Sequence, residues 1–385
     1  MKFIHTADWH IGQEIKQYSR TDEHRYFFSQ LTDLVTAEQP DALLVSGDIF
    51  HNAAPNNEAV KLYTDTMVQL HEACKTMTIV IIAGNHDSPS RLEANKSIFR
   101  YANVHVVGTV NHDDPMQHVV YIPDKGYVIA IPHFYLRSWE NEKSIFLKAQ
   151  EYVRNVNTDN LPVVMMAHTY VHGADVSGHN GMIGGLETED VSLLGNYYDY
   201  LALGHIHHPQ TLVDAVKTVR YSGSALHVNA AERFVHEVSL VNIESHGDAP
   251  EITSVPVKQL RHFYYVPQSG YLPFEQALEQ LRLFNPDEQG YVVLSVTVQR
   301  YLPTDARQQV DAVMESKTNL RFLDFNVNFE ARQHTAETVI STQQLRMMNP
   351  VDIAVEYYRQ THNQPMPQDM INMLREIEER ITQQQ

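Results

Sequence analysis

The chain has 385 residues, too many for one ordinary core, so a large domain followed by one or two smaller units is expected. Its 43% hydrophobic and 20% charged residues, with 16 Gly and 17 Pro, describe a globular protein and exclude collagen-like or low-complexity architectures. A net charge of −18 argues against a simple electrostatic nucleic-acid binder, which would present a basic face, and the single cysteine, Cys74, excludes an internal disulfide or a thiolate metal cluster. Any metal must therefore be held by oxygen and nitrogen. The opening MKFIHTADWH reaches Asp8 and His10 before an apolar signal core develops, and no run of roughly 18 uninterrupted apolar residues follows. The expectation is a cytoplasmic protein with no membrane span.

To about residue 245, short apolar runs alternate with amphipathic segments, the pattern of βαβ units. The runs are KFIH from Lys2, ALLVSG from Ala42, TIVIIAG from Thr78, PVVMMAH from Pro162 and YLALGH from Tyr200, while 58–74 and 141–156 read as helices. Ligands of open α/β sheets bind beyond the carboxyl ends of the strands, so these five ends should converge on one crevice. From about Lys258 the order becomes strand, helix, strand, helix, strand: HFYYV, FEQALEQLRLF, GYVVLSVTV, ARQQVDAVMES and LRFLDFNVNF. It carries no cluster of candidate ligands and reads as a small α+β accessory unit that caps the site. Two further helices are expected at 351–359 and 368–381. In the second, Met370, Met373, Leu374, Ile377 and Ile381 share a stripe opposite Glu376, Glu378 and Glu379. That stripe suits either packing on its own domain or docking on a partner. The expected division is 1–250, 258–332 and 345–385.

Chemistry concentrates at the strand ends: Asp8 with His10, Gly47 with Asp48, GNHD from Gly84, the lone His168, and GHIH from Gly204. Carboxylates, an amide and imidazoles suit hard-to-borderline divalent cations such as manganese, iron, magnesium or zinc. One bridging carboxylate can hold two such ions about 3.5–4 Å apart. Asp8 and His10 are two residues apart, so an extended strand end would point both to one side; His205 and His207 repeat the spacing, and His208 would face away. Gly47, Gly84 and Gly204 stand where a side chain would crowd the turn. Rival readings remain. Asp8, Asp48 and Asn85 also suit turn capping, His168 suits a satisfied core histidine, and Cys74 suits a small core residue.

In that order, D-x-H, GD, GNHD, a lone His and GH-x-H resemble the motif series of the calcineurin-like metallophosphoesterases. HTADWHIGQ, SRTDEH, GDIFHN, AGNHDSP, ALGHIHHPQ and YSGSAL further resemble the Mre-eleven/SbcD nuclease branch, over roughly residues 1–245. After YSGS the branch usually continues with Pro and an acidic residue, where this chain has Ala225, Leu226 and His227. The resemblance implies a four-layer αββα sandwich with a small α+β cap and C-terminal helices. It implies two divalent ions, manganese rather than zinc, one held by Asp8, His10, Asp48 and His207 and the other by Asp48, Asn85, His168 and His205. His86 matches the catalytic acid with Asp87 as its orienter, His51 a second histidine near the scissile phosphate, and Arg20 a basic residue facing DNA phosphate. The implied activity is exonucleolytic on duplex ends and endonucleolytic on hairpins or single strands, in DNA break processing and recombination. The implied partners are DNA and an SbcC/Rad-fifty-like, SMC-like ATPase, with a homodimer inside a heterotetramer. Helices around 58–74 and 91–101 would form the dimer contact or simply cover the sheet. A free-standing metallophosphodiesterase or phosphatase acting on a small nucleotide or phosphoprotein stays open, since it suits the acidic charge.

Overall fold

Each of the five apolar runs is a strand buried on both faces, which is why none alternates with polar residues. In the computed structural model, Leu43 and Val45 of the strand Ala42–Ser46 point to one core, and Ala42 and Leu44 point to another. Two six-stranded sheets result. The first runs Glu251–Pro256, Glu237–Asn242, Lys2–Thr6, Ala42–Ser46, Thr78–Ile82, Val104–Val107; the second runs Gln210–Thr211, Thr218–Tyr221, Tyr200–Gly204, Val163–His168, Gly126–Ala130, Val119–Ile122. Phe3, Leu44, Val80 and Ile82 meet Val128, Val164, Met166 and Tyr200 between them. The structure describes residues 1–134, 139–177, 190–212, 217–299 and 301–329, with 351, 354–355, 358, 364 and 366–374 beyond.

The outer faces carry helices. Phe27, Phe28, Leu31 and Val35 recur at helical spacing along Thr21–Glu38, and Tyr63, Met67 and Leu70 along Asn57–Ala73; both stripes pack on Ile4, Val45 and Ile81. Truncating the fully buried Leu31 to alanine would cost about 2–5 kcal/mol. The second helix starts at Asn57 because the Asn56 side chain accepts the Ala59 N–H at 2.8 Å. Cys74 ends it, buried as a small core residue. Ile145, Ala149 and Val153 of Trp139–Val156 cover the second sheet. The layers are therefore α, β, β, α, as expected.

The segment from His262 forms the expected strand, helix, strand, helix, strand order: His262–Val266, Phe274–Leu283, Gly290–Val298, Ala306–Met314 and Leu320–Phe329. His262–Val266 lies parallel to Gly290–Val298, and the latter pairs with Leu320–Phe329. Tyr291, Val293 and Leu323 pack with Phe263 and Tyr265 against Ile15 and Tyr18. The chain divides into two compact units, Met1–Val296 with Pro303–Val327, and Thr297–Leu302 with Asn328–Gln385. Of the expected C-terminal helices, 368–374 is helical and most of the remainder, including Ile377 and Ile381, lies outside the described residues. Among the described residues no helix is long and apolar enough to cross a membrane.

Candidate metal centre

Three strands of the first sheet end at Asp8 and His10, at Asp48, and at the GNHD turn; two of the second end at His168 and at His205 with His207. Neighbouring segments stay paired past the last strand residue. The Asp8 amide donates to the Gly47 carbonyl and the His10 amide to the Asp48 carbonyl, each at 3.0 Å. The convergence of Asp8 and His10 differs from the alternation expected of an extended strand. Both adopt left-handed backbone, with φ of 53° and 48°, as do Asp48 at 51° and His205 at 100°. Such conformations cost non-glycine residues on the order of 1–3 kcal/mol each and persist where the surroundings over-determine them. Three glycines make the approach possible. A Cβ at Gly84 would collide with the Asp48 backbone nitrogen. A Cβ at Gly47, whose φ is +89°, would collide with the His168 ring, and one at Gly204 would collide with the Ser46 carbonyl.

All seven expected ligands come together. Donor atoms of Asp8, His10 and His207 lie within 4.8 Å of one another, as do those of Asp8, Asp48 and His168. His10 Nε2 is 3.3 Å from His207 Nε2 and 3.8 Å from Asp48 Oδ2. The Asn85 side-chain oxygen lies 3.0 Å from His168 Nε2 and 3.0 Å from His205 Nδ1. Behind the set, His168 Nδ1–H donates to the Ser46 carbonyl at 2.8 Å, and the Asp8 carboxylate accepts the His205 amide at 3.0 Å.

The electrostatics suit a cation. Burial pushes the Asp8 carboxyl up to about 6, although His168 and His207 pull the other way. Burial would raise Asp48 too, but the His168 and His10 imidazoles beside it hold it well below the usual carboxylate range. His168 is lifted to about 9 against its own burial, by the Asp48 and Asp8 carboxylates. Burial drives His10 well down, so its ring is neutral and able to ligate. Two buried carboxylates thus recruit positive charge from whatever faces them. Ions bound by imidazole at about 2.0–2.1 Å in tetrahedral geometry set ligand atoms roughly 3.4 Å apart, close to the separations seen here. The donor set, mixed oxygen and nitrogen without sulfur, fits one or two borderline divalent ions.

The remaining expected residues divide. His86 stands at the centre: its ring centroid is 4.9 Å from that of His10, its amide donates to Asp48 Oδ1 at 2.9 Å, and its Nδ1–H donates to the His51 carbonyl at 2.8 Å. The His51 ring stacks over it, 5.8 Å away and 27° from parallel. Asp87 does not orient His86, contrary to expectation. It is buried, and accepts the Gly84, Phe50 and Ile49 amides at 2.8, 2.9 and 3.1 Å, clasping the two loops that carry Asp48 and Asn85. Its burial, followed by the Asp48 charge, pushes its carboxyl up to about 7. Arg20 does not face a DNA channel either. It is 1% exposed and directs its guanidinium to Glu23, to Gln13 and to the His227 carbonyl. His208 turns away, stacked on Phe234 at 4.6 Å and paired with Asp175 at 3.0 Å.

Sequence reasoning missed two groups beside the ligands. His133 Nδ1–H donates to the His168 carbonyl at 3.2 Å, and the wholly buried Glu232 carboxylate takes His207 Nδ1–H at 2.7 Å. His133 stands three residues past the strand Gly126–Ala130, at the same offset as Asn85 and His207 from theirs, and would have been found had that strand been read from the apolar run GYVIAI. Glu232 lies in a loop that no local pattern marked.

Residues 1–209 match the calcineurin-like phosphoesterase family. Among curated proteins, the chain is 32% identical to the SbcD component of the SbcCD nuclease of Rhodobacter capsulatus, covering 82% of this chain and 85% of that one. It is 28% identical to the SbcD component from Escherichia coli K12, over 82% of each chain. With the one from Bacillus subtilis it shares 29% identity over 65% of this chain and 68% of that one.

Proposed function

Because the chain belongs to the calcineurin-like phosphoesterases, and within them to the SbcD nuclease branch of metal-dependent phosphodiester hydrolases, we propose that its centre cuts DNA. In this reading it is an exonuclease on double-stranded ends and an endonuclease on hairpins or single strands. It works with DNA and an SbcC-type, SMC-like ATPase, as a homodimer within a heterotetramer in the cytoplasm. Residues 258–332 form the cap and 345–385 the docking segment. The observation that supports it best is the meeting of seven oxygen and nitrogen donors from two sheets at one buried point, four of their residues in left-handed backbone.

Asp8, His10, Asp48 and His207 would hold one ion and Asp48, Asn85, His168 and His205 the other, with Asp48 the bridge and manganese the ion. Such a pair, when bound, supplies a water nucleophile at neutral pH and neutralises the charge gathering on the phosphate oxygens. The chain's own residues do the rest. The bond from His86 Nδ1–H to the His51 carbonyl fixes the ring and leaves Nε2 to carry the proton delivered to the departing sugar oxygen. His51, stacked alongside, limits the tilt of that ring and faces the same phosphate. Asp87 acts through the backbone, keeping the Asp48 and Asn85 loops at fixed separation.

The purified chain with manganese should degrade linear duplex and nick hairpin DNA, and should turn over bis-p-nitrophenyl phosphate; His86→Ala should abolish cleavage. A second reading rests on the net charge of −18 and on the burial of Arg20, the one basic residue expected to meet DNA: a phosphodiesterase or phosphatase for a small nucleotide or phosphoprotein. Turnover of the small diester with DNA left intact, even after an SbcC-type ATPase is added, would select it.

A further inference from the structure

Ligand histidines present one ring nitrogen to the metal and hand the other N–H to a partner behind, and that partner sets tautomer, orientation and donor strength. For His168 the partner is a neutral backbone carbonyl, that of Ser46. For His207 it is a carboxylate. Glu232 is wholly buried, so its charge must be met in full by the groups around it. Oε1 accepts His207 Nδ1–H at 2.7 Å and the Asn229 amide at 3.1 Å, and Oε2 accepts the Val228 backbone N–H at 2.7 Å. His236 Nε2 closes the far side at 3.7 Å. The turn is itself braced: the Ala231 amide donates to the Asn229 side chain at 2.8 Å, and Gln13 donates to the Val228 carbonyl at 2.6 Å. Held in this way, His207 turns Nε2 to within 3.3 Å of His10 Nε2.

Building on the two-ion reading above, we propose that Glu232 is a positioning residue for His207. It takes the Nδ1–H, fixes the tautomer that aims Nε2 into the centre, and strengthens that nitrogen as a donor. The consequence is asymmetric. The ion on Asp8, His10, Asp48 and His207 depends on Glu232, while the ion on Asp48, Asn85, His168 and His205 does not. The loop after YSGS, where this chain departs from its branch at Ala225 to His227, retains through Glu232 a link to the centre.

Glu232→Gln keeps the volume and one acceptor but removes the charge and sets an NH2 where an acceptor stood. Calorimetric titration with manganese should give two equivalents in the unaltered chain. In the variant one of them should weaken about 10–100-fold and the other change little. The electron paramagnetic resonance spectrum at two added equivalents should shift from an exchange-coupled pair toward isolated manganese, and further manganese should restore the coupled signal. Both equivalents weakening together, as a collapsed loop would cause, or neither weakening, would overturn the proposal. An unaltered chain that takes up no manganese would overturn the two-ion reading itself, before any variant is made.

Discussion

Two buried polar clusters lie close together in this chain, and they solve the same electrostatic problem in opposite ways. Around Arg20 every charge meets its opposite within the protein: the guanidinium bonds Glu23 at 2.6 Å and Gln13 at 2.8 Å, Glu23 also takes the Tyr291 hydroxyl, and Arg261 pairs with Asp22 at 2.6 Å. Around Asp48 the donors converge on one another instead, imidazole nitrogen facing imidazole nitrogen, on backbone of unfavourable conformation. Burial of charge is common to both and distinguishes nothing. A cluster that satisfies itself is scaffold, whereas one that leaves its donor atoms aimed at a shared point at the cost of backbone strain is prepared for a cation. The clusters meet in the loop of residues 227–232, where Arg20 and Gln13 hold backbone carbonyls and Glu232 holds His207.

The sharpest test of that contrast is Asp48→Asn. On the two-ion reading, losing the charge that both ions would share should lower turnover of bis-p-nitrophenyl phosphate by roughly three orders of magnitude, the several kcal/mol such a pair of ions would contribute to the transition state. The metal-free melting temperature should fall only slightly, because the Asp48 carboxylate gives up its attraction to the His168 imidazole, which can shed its proton in response. A metal-free protein that melts much earlier would make Asp48 structural.

Arg20→Met should do the reverse. Leaving the buried Glu23 short of its main partner should cost about 3–5 kcal/mol in urea unfolding, while activity per folded molecule with saturating manganese changes only a few-fold. Activity lost in parallel with DNA affinity, at unchanged stability, would restore Arg20 as a DNA contact.

Acid should find the satisfied cluster through His24. Burial, then the neighbouring Arg20 charge, pushes this imidazole down to about 4, against 6.5 in the unfolded chain. The unfolded state therefore binds a proton that the folded state refuses between those values. The contribution of His24 to stability is complete above about pH 6.5 and falls by roughly 3 kcal/mol as the pH drops to about 4. His24→Gln should reduce the slope of unfolding free energy across that window by one group's share, leaving that of other buried imidazoles such as His227, likewise pushed to about 4; an unchanged slope would show that His24 is protonated in the folded protein.

The smallest effect is expected at Tyr291→Phe, which removes only the hydroxyl bond to Glu23 and should cost about 2 kcal/mol with no change in metal uptake.

The centre was legible because its chemistry is written at the ends of apolar strands. Asp8, Asp48 and His168 each follow a run buried on both faces, and the glycines beside them mark where backbones had to touch. The α+β segment from His262 was equally plain, since its helical and strand periodicities alternate cleanly. What stayed hidden were partners brought in from a distance. Asp87 was expected to orient its neighbour His86 and instead clasps amides about 38 residues back, a pairing that no local pattern encodes. Arg20, expected to face DNA phosphate, is buried instead among Gln13, Glu23 and the His227 carbonyl.

By itself the sequence determined the five buried strands and the candidate ligand types at their ends, because burial on two faces and the choice of carboxylate, amide and imidazole are properties of local composition; the layering came from the family resemblance. The tertiary structure alone decided which nitrogen of each imidazole faces the centre, which buried charges are neutralised by protein and which await a cation. Those depend on groups such as Glu232, the Ser46 carbonyl and the His51 carbonyl, brought within hydrogen-bonding distance only when the sheets and loops close around them.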